Sequence, residues 1–251
     1  MILLINFIII NNNKFIEFIE VIAKEMPTMK YLPSGTPELD KALGGGLQIN
    51  EIFQIYGPGG VGKTTLALQF AIVTAKRGFQ VFYVNTEGKF PIVRLNQLSG
   101  SEFKKVTPLI NVVSPANFNN QARMVSQFES IIPSGTRLVI FDTIVSLYRN
   151  ELGESSENII LNRRLNQQLG MIANFAISRS VAVILINQVR ANIEGENDFR
   201  PVADSIISYW SNYSLQISRS ESKGYREFKL FRSQDSEPLT LVLQLQKSGF
   251  R

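Results

Sequence analysis

Between about residue 50 and residue 187, short apolar runs alternate with stretches of helical period. Ile52-Phe53-Gln54-Ile55-Tyr56, Gln80 to Val84, Leu109 to Val113 and Leu138 to Phe141 read as strands, and Val181 to Ile186 is a continuous β-branched run typical of a strand covered on both faces. Helices are expected from Leu66 onward, around Ile92 to Leu98, and from about Asn117 to Ile132 with Ala122, Val125, Phe128 and Ile132 in step. The longest helix is expected over Ile160 to Ser178, with Leu161, Leu165, Leu169, Ile172 and Ala176 on one stripe. Strand–helix alternation of this kind predicts an α/β fold, a mostly parallel sheet flanked by helices.

After Asn187 the pattern changes. Arg190 to Asp204 is polar, has no clear period and reads as a loop. Ser205 to Ser218, Tyr225 to Phe231 and Leu239 to Leu245 are strand candidates, separated by the turn-rich stretches 220–224 and 233–238. They are expected to extend the sheet as antiparallel C-terminal strands. One core domain over residues 29–251 is the simplest organisation.

Residues 1–28 stand apart. Met1 to Ile10 is almost wholly apolar but too short to span a bilayer, which takes about twenty residues. It lacks the basic start and small-residue cleavage site of a signal peptide. Lys14 to Lys24 reads as an amphipathic helix with Phe15, Phe18, Ile19 and Ile22 on one face. Three readings stay open for this segment: a mis-assigned start, an arm that docks on a partner, or a helix on a membrane surface.

Composition narrows the chemistry. The 251 residues include 26 basic and 21 acidic side chains, a net charge of +5 that suits nucleic acid without demanding it. With no cysteine and no histidine, disulfides, thiolate metal sites and histidine general bases are excluded. Hydrolytic chemistry would therefore rest on carboxylates, amides, lysines and a metal ion.

Such a set is present. Gly57-Pro58-Gly59-Gly60-Val61-Gly62-Lys63-Thr64-Thr65 fits the phosphate-loop pattern G-x-x-x-x-G-K-[ST], with a strand before it and a helix after it. Glycines let backbone N–H groups wrap a polyphosphate, and the helix N-terminus adds its dipole. Lys63 is suited to the β- and γ-phosphates of ATP and the Thr64 hydroxyl to Mg²⁺. Asp142 ends an apolar strand, where a carboxylate can hold the Mg²⁺ shell. Glu87 follows another strand and can polarise the attacking water. Gln188 ends a third, where an amide can sense a γ-phosphate. The plain alternatives are turn and strand-capping roles.

These motifs resemble the RecA superfamily, specifically the archaeal RadA and RadB recombinases and their paralogues. The resemblance rests on Pro33 to Gly46, on Thr86-Glu87-Gly88-Lys89-Phe90, on Phe141 to Arg149 and on Asn187-Gln188-Val189, and it covers the chain from about residue 30 onward. It implies a RecA-type P-loop ATPase core, with Glu87, Lys63 and Gln188 catalytic and Arg94 near the adenine. It also implies contacts to single- and double-stranded DNA from Arg149 in a first loop and Arg190 and Arg200 in a second, with Phe199 placed to stack on a base. Lys104 and Lys105 offer another DNA path.

Several features depart from the recombinase pattern. Residues 1–28 are too few for the helix-hairpin-helix domain that precedes the full recombinase core, and no Phe-x-x-Ala segment is found there. Arg200-Pro201-Val202-Ala203-Asp204 stands where Lys-Pro-x-Gly-Gly is usual, and Asn85 where Asp is usual. These favour a RadB-like paralogue, or a related RadA paralogue, over the strand-exchange enzyme itself. The resemblance then implies a cytoplasmic, ATP-binding, slowly hydrolysing accessory factor of homologous recombination and DNA repair, with a RadA-type recombinase or a second copy of the chain as partner. Two other readings stay open: a KaiC-like regulatory ATPase and a non-hydrolysing interaction protein that loads a recombinase.

Overall fold

A computed structural model of the chain describes residues 30–190, 200–232 and 237–251. The expectations for residues 1–28 and for Phe199 lie outside the described residues. Two short strands, β1 (Tyr31–Leu32) and β2 (Leu47–Gln48), pair antiparallel around helix α1 (Pro37–Ala42). The main sheet runs in the order β12-β11-β10-β9-β3-β7-β6-β4-β5, with β8 paired to β7. Its strands are β3 (Ile52–Gly57), β4 (Gln80–Asn85), β5 (Ile110–Val113), β6 (Thr136–Asp142), β7 (Ala182–Arg190), β8 (Arg200–Pro201), β9 (Tyr213–Arg219), β10 (Tyr225–Phe231), β11 (Leu239–Gln246) and β12 (Gly249–Phe250).

The strands from β9 through β3, β7, β6 and β4 to β5 are parallel, and β9 to β12 are antiparallel. The expected mostly parallel sheet with antiparallel C-terminal strands is thus the fold. The helices are α2 (Lys63–Lys76), α3 (Ile92–Ser99), α4 (Phe103–Val106), α5 (Phe118–Ser126), α6 (Phe128–Ile131), α7 (Ser146–Asn150), α8 (Ser155–Arg179) and α9 (Asp204–Trp210).

The stripe read from the sequence is the buried face of α8: Leu165, Leu169, Ile172 and Ala176 are fully enclosed against the sheet. Phe128 joins this layer, its ring meeting Phe82, Phe141 and Phe175. The helix expected over 117–132 is capped as its sequence suggests, with Asn117 Oδ1 accepting from the Asn120 N–H, but it breaks at Gln127 into α5 and α6.

One element differs from its expected form. Ser205 to Ser218 is not one strand; Asp204–Trp210 is helical and the strand begins at Tyr213. β9 is also parallel to β3, not antiparallel. Both follow from topology. β7 and β9 flank β3 in the same direction, and parallel strands need a crossover connection, which a helix supplies because it satisfies its own backbone. α9 buries Ile207, and Trp210 Nε1 donates to Asn166 of α8 at 2.9 Å. The stretch read as loop over 190–204 also contributes β8.

Candidate functional site

Pairing register brings the candidate residues to one end of the sheet. Gly57 on β3 lies opposite Gln188 on β7, and Asn85 on β4 opposite Asp142 on β6. Glu87 follows β4 by two residues. All stand at the carboxyl ends of parallel strands, where open α/β sheets hold their ligands. A cleft of about 540 Å³ opens there, lined by Gly57, Gly59, Gly60, Gly62, Lys63, Thr64, Thr65, Glu87, Asp142, Thr143, Ile186, Gln188, Val189 and Leu245. That volume is in the usual range for small-molecule sites, roughly 300–1,000 Å³.

The loop between β3 and α2 is held tightly. Gly62 has φ +108, and a Cβ there would stand 2.6 Å from the Phe250 ring. A Cβ on Gly57 would meet the Ile217 carbonyl at 2.1 Å. Only glycine fits at either place. Val61 is fully buried, and its carbonyl accepts from Arg226 Nε at 3.2 Å. Lys63 Nζ donates to the Gly57 and Pro58 carbonyls, both at 2.8 Å. Burial pulls the Lys63 ammonium below its ordinary value, while the charges of Asp142 and Glu87 hold it up.

Asp142 Oδ2 accepts two hydroxyls, Thr64 Oγ1 at 2.9 Å and Tyr83 Oη at 2.6 Å. Burial raises its pKa; these two hydrogen bonds and the Lys63 charge oppose the shift. Among the described residues no group of three or more His, Cys, Asp or Glu side chains could cage a metal. The Thr64 hydroxyl and the Asp142 carboxylate are nonetheless hard oxygen donors at the cleft. That set fits Mg²⁺, which binds through one or two protein oxygens plus phosphates and water.

Gln188 links two further groups. Its Nε2 donates to Glu87 Oε1, and its Oε1 accepts from Arg149 Nη1. Much of Glu87 meets solvent, yet its carboxyl lies against the cleft. That partial burial and the Asp142 charge raise its pKa, against Lys63, Arg149 and Gln188. Thr86 ties the glutamate's turn to the end of the neighbouring strand β6: its hydroxyl donates to the Thr143 carbonyl at 2.6 Å and accepts from the Thr143 N–H at 2.8 Å. Asn85 Nδ2 donates to the Gly88 carbonyl at 2.9 Å, so the amide that replaces the usual Asp closes the turn carrying Glu87.

Arg94 borders the cleft through Thr65, one of its lining residues. Its guanidinium donates to Thr65 Oγ1 at 3.2 Å and to the carbonyls of Gln246 at 3.1 Å and Lys247 at 2.8 Å, joining α2 to the C-terminal strands. Of the expected DNA contacts, Arg149 is exposed beside Gln188. Arg190 and Arg200 are register partners in the β7–β8 pair, on either side of residues 191–199. The pair is stitched further by Asn187 Nδ2 to the Val202 carbonyl and by the Val202 N–H to the Gln188 carbonyl, both at 2.9 Å. Lys104 and Lys105 lie on α4, just before the edge strand β5, and Lys105 pairs with Glu102 at 3.2 Å. Tyr83, Thr86, Thr143 and Arg226 were not anticipated. Thr86 and Thr143 lie inside the motifs that carry the resemblance, and Tyr83 is a polar-tipped aromatic inside an apolar strand.

The chain is similar to known proteins in sequence and fold. The Rad51 family model matches residues 27–251. The DNA repair and recombination protein RadB of Methanobrevibacter smithii (strain ATCC 35061 / DSM 861 / OCM 144 / PS) is 34% identical over 188 residues, 73% of this chain and 79% of that protein. RadB of Methanosphaera stadtmanae is 30% identical over 203 residues, 80% of this chain and 86% of its own. A crystal structure of the RadB recombinase superposes with a TM-score of 0.73 at 31% identity, covering 87% of this chain and 98% of that one. No helix among the described residues is long and apolar enough to cross a membrane.

Proposed function

The chain belongs to the Rad51 family and resembles its RadB members, and from that premise we propose that it is an ATP-binding, slowly hydrolysing, DNA-binding accessory protein of homologous recombination and DNA repair. The observation that carries the reading is the convergence of Lys63, Thr64, Glu87, Asp142 and Gln188 on one cleft from four strand ends.

In this reading residues 29–251 form the ATPase core, which acts in the cytoplasm. The N–H groups from Gly59 to Thr65 and the Lys63 ammonium bind the phosphates of ATP. Lys63 gives up the carbonyls of Gly57 and Pro58 for phosphate oxygens, a charge-assisted exchange. Thr64 and Asp142 would hold Mg²⁺, which when bound neutralises the developing phosphate charge. Glu87 accepts a proton from the attacking water; its raised pKa makes it a better base than an ordinary carboxylate. Gln188 reports the state of Glu87 to Arg149 and to the β7–β8 pair at Arg190 and Arg200, where single- and double-stranded DNA bind. Arg94 lies near the adenine, held there by Thr65 and the carbonyls of Gln246 and Lys247. A RadA-type recombinase or a second copy of the chain is the expected protein partner.

The test is ATP turnover with and without single-stranded DNA. Turnover that rises with DNA supports the reading. Nucleotide binding without any effect of DNA favours a regulatory ATPase of another kind, and nucleotide binding without turnover favours a recombinase-loading protein.

A further inference from the structure

Tyr83 is fully enclosed within β4, and a buried phenol needs a hydrogen-bond partner. Its hydroxyl donates to Asp142 Oδ2 at 2.6 Å, the oxygen that also accepts from Thr64 Oγ1 at 2.9 Å. The other oxygen, Oδ1, accepts no hydrogen bond among the described residues. The Tyr83 ring meets Phe90 edge-on with centroids 5.1 Å apart, and Phe90 lies three residues beyond Glu87. One buried side chain therefore touches both the carboxylate of the cleft and the segment that carries the glutamate.

We propose that Tyr83 is a positioning residue for the Mg²⁺–nucleotide complex: it pins Oδ2 of Asp142 so that the Thr64 hydroxyl oxygen and Asp142 Oδ1 face the cleft together. The proposal rests on the nucleotide reading of this site. The terminal torsion of an aspartate is broad, so a single bond from Thr64 leaves the carboxylate free to turn. A second donor, held by the enclosing core, removes that freedom. It also gives the Thr64 proton a fixed acceptor, which leaves the threonine oxygen's lone pairs to the cation. Mg²⁺ demands near-ideal octahedral geometry, so a modest turn of the carboxylate weakens it. Outer partners of metal ligands typically matter by about 10–100-fold in metal affinity.

The test is Tyr83→Phe, which keeps the ring and removes only the hydroxyl. Binding of a fluorescent, non-hydrolysable ATP analogue to the full chain is titrated with Mg²⁺ and repeated in EDTA. The half-saturating Mg²⁺ concentration should rise by about tenfold, with binding in EDTA unchanged. Phe90→Leu serves as the packing control. It removes one ring contact but leaves the hydroxyl and the rest of the core that encloses Tyr83, and it should not move the Mg²⁺ requirement. An unchanged requirement in Tyr83→Phe, an equal rise in Phe90→Leu, or loss of folding in Tyr83→Phe each overturns the proposal. If the parent chain itself shows no Mg²⁺-dependent nucleotide binding, the reading of the cleft fails instead, which separates the two failures.

Discussion

Gln188 donates its side-chain amide to the carboxylate of Glu87, across 101 positions of sequence and from the far side of the cleft. The same amide's carbonyl accepts from Arg149, and its backbone carbonyl holds the Val202 N–H beside the β7–β8 pair. A change at the glutamate is thus two hydrogen bonds away from the basic surface. Gln188→Ala should keep nucleotide affinity but erase the difference between turnover with and without single-stranded DNA. A variant that is still stimulated as strongly as the parent would show that the signal travels by another route.

Glu87→Gln keeps the shape and the partner of the glutamate but is a poor proton acceptor. Nucleotide binding should hold while turnover falls by about 10²–10⁴-fold, the usual contribution of a general base. The raised pKa of Glu87 gives a second readout. Turnover needs the ionised form, so in the parent it should fall on acidification at a pH above the ordinary carboxylate range. Steady-state rates against pH check both points.

In the proposed site Lys63 supplies the ammonium that meets the phosphates. Hydrogen bonds to charged groups are worth about 1.5–3 kcal/mol, so Lys63→Ala should weaken ATP by about tenfold or more. Equilibrium titration with a fluorescent analogue measures this directly, and unchanged affinity would remove Lys63 from its role.

Asp142 is 6% exposed, and burial holds its folded-state pKa above the ordinary value. The ionised form is therefore the costly one in the fold. Without nucleotide or Mg²⁺, its contribution to stability is full below the ordinary carboxylate pKa and is lost as pH rises through the raised folded value. Asp142→Asn should melt above the parent at neutral pH, and the gap should close on acidification. Melting curves over that range would contradict this if the variant were the less stable at pH 7.

Arg190 and Arg200 are register partners in the β7–β8 pair. If both meet phosphates, replacing both by Ala should lower the log–log salt slope of single-stranded DNA binding by about 1.4, at roughly 0.7 per contact. A slope that does not move would shift the DNA path to Lys104 and Lys105.

The sequence by itself determined the phosphate loop, the strand ends that carry Glu87, Asp142 and Gln188, and the buried stripe of α8. Each is a local signal: a fixed spacing, or a period set by the geometry of one element. Tertiary structure decided what lies opposite what. Ser205 to Ser218 is apolar enough for a strand, but β9 had to run parallel to β3, so α9 was needed as the crossover. The spacing of Arg94 says nothing of the carbonyls of Gln246 and Lys247, some 150 positions away, that accept from its guanidinium. Tyr83 looks like one more core aromatic until the β4–β6 register sets its hydroxyl against Asp142. Hydrogen bonds between residues this distant depend on sheet order and register, and no local period encodes either.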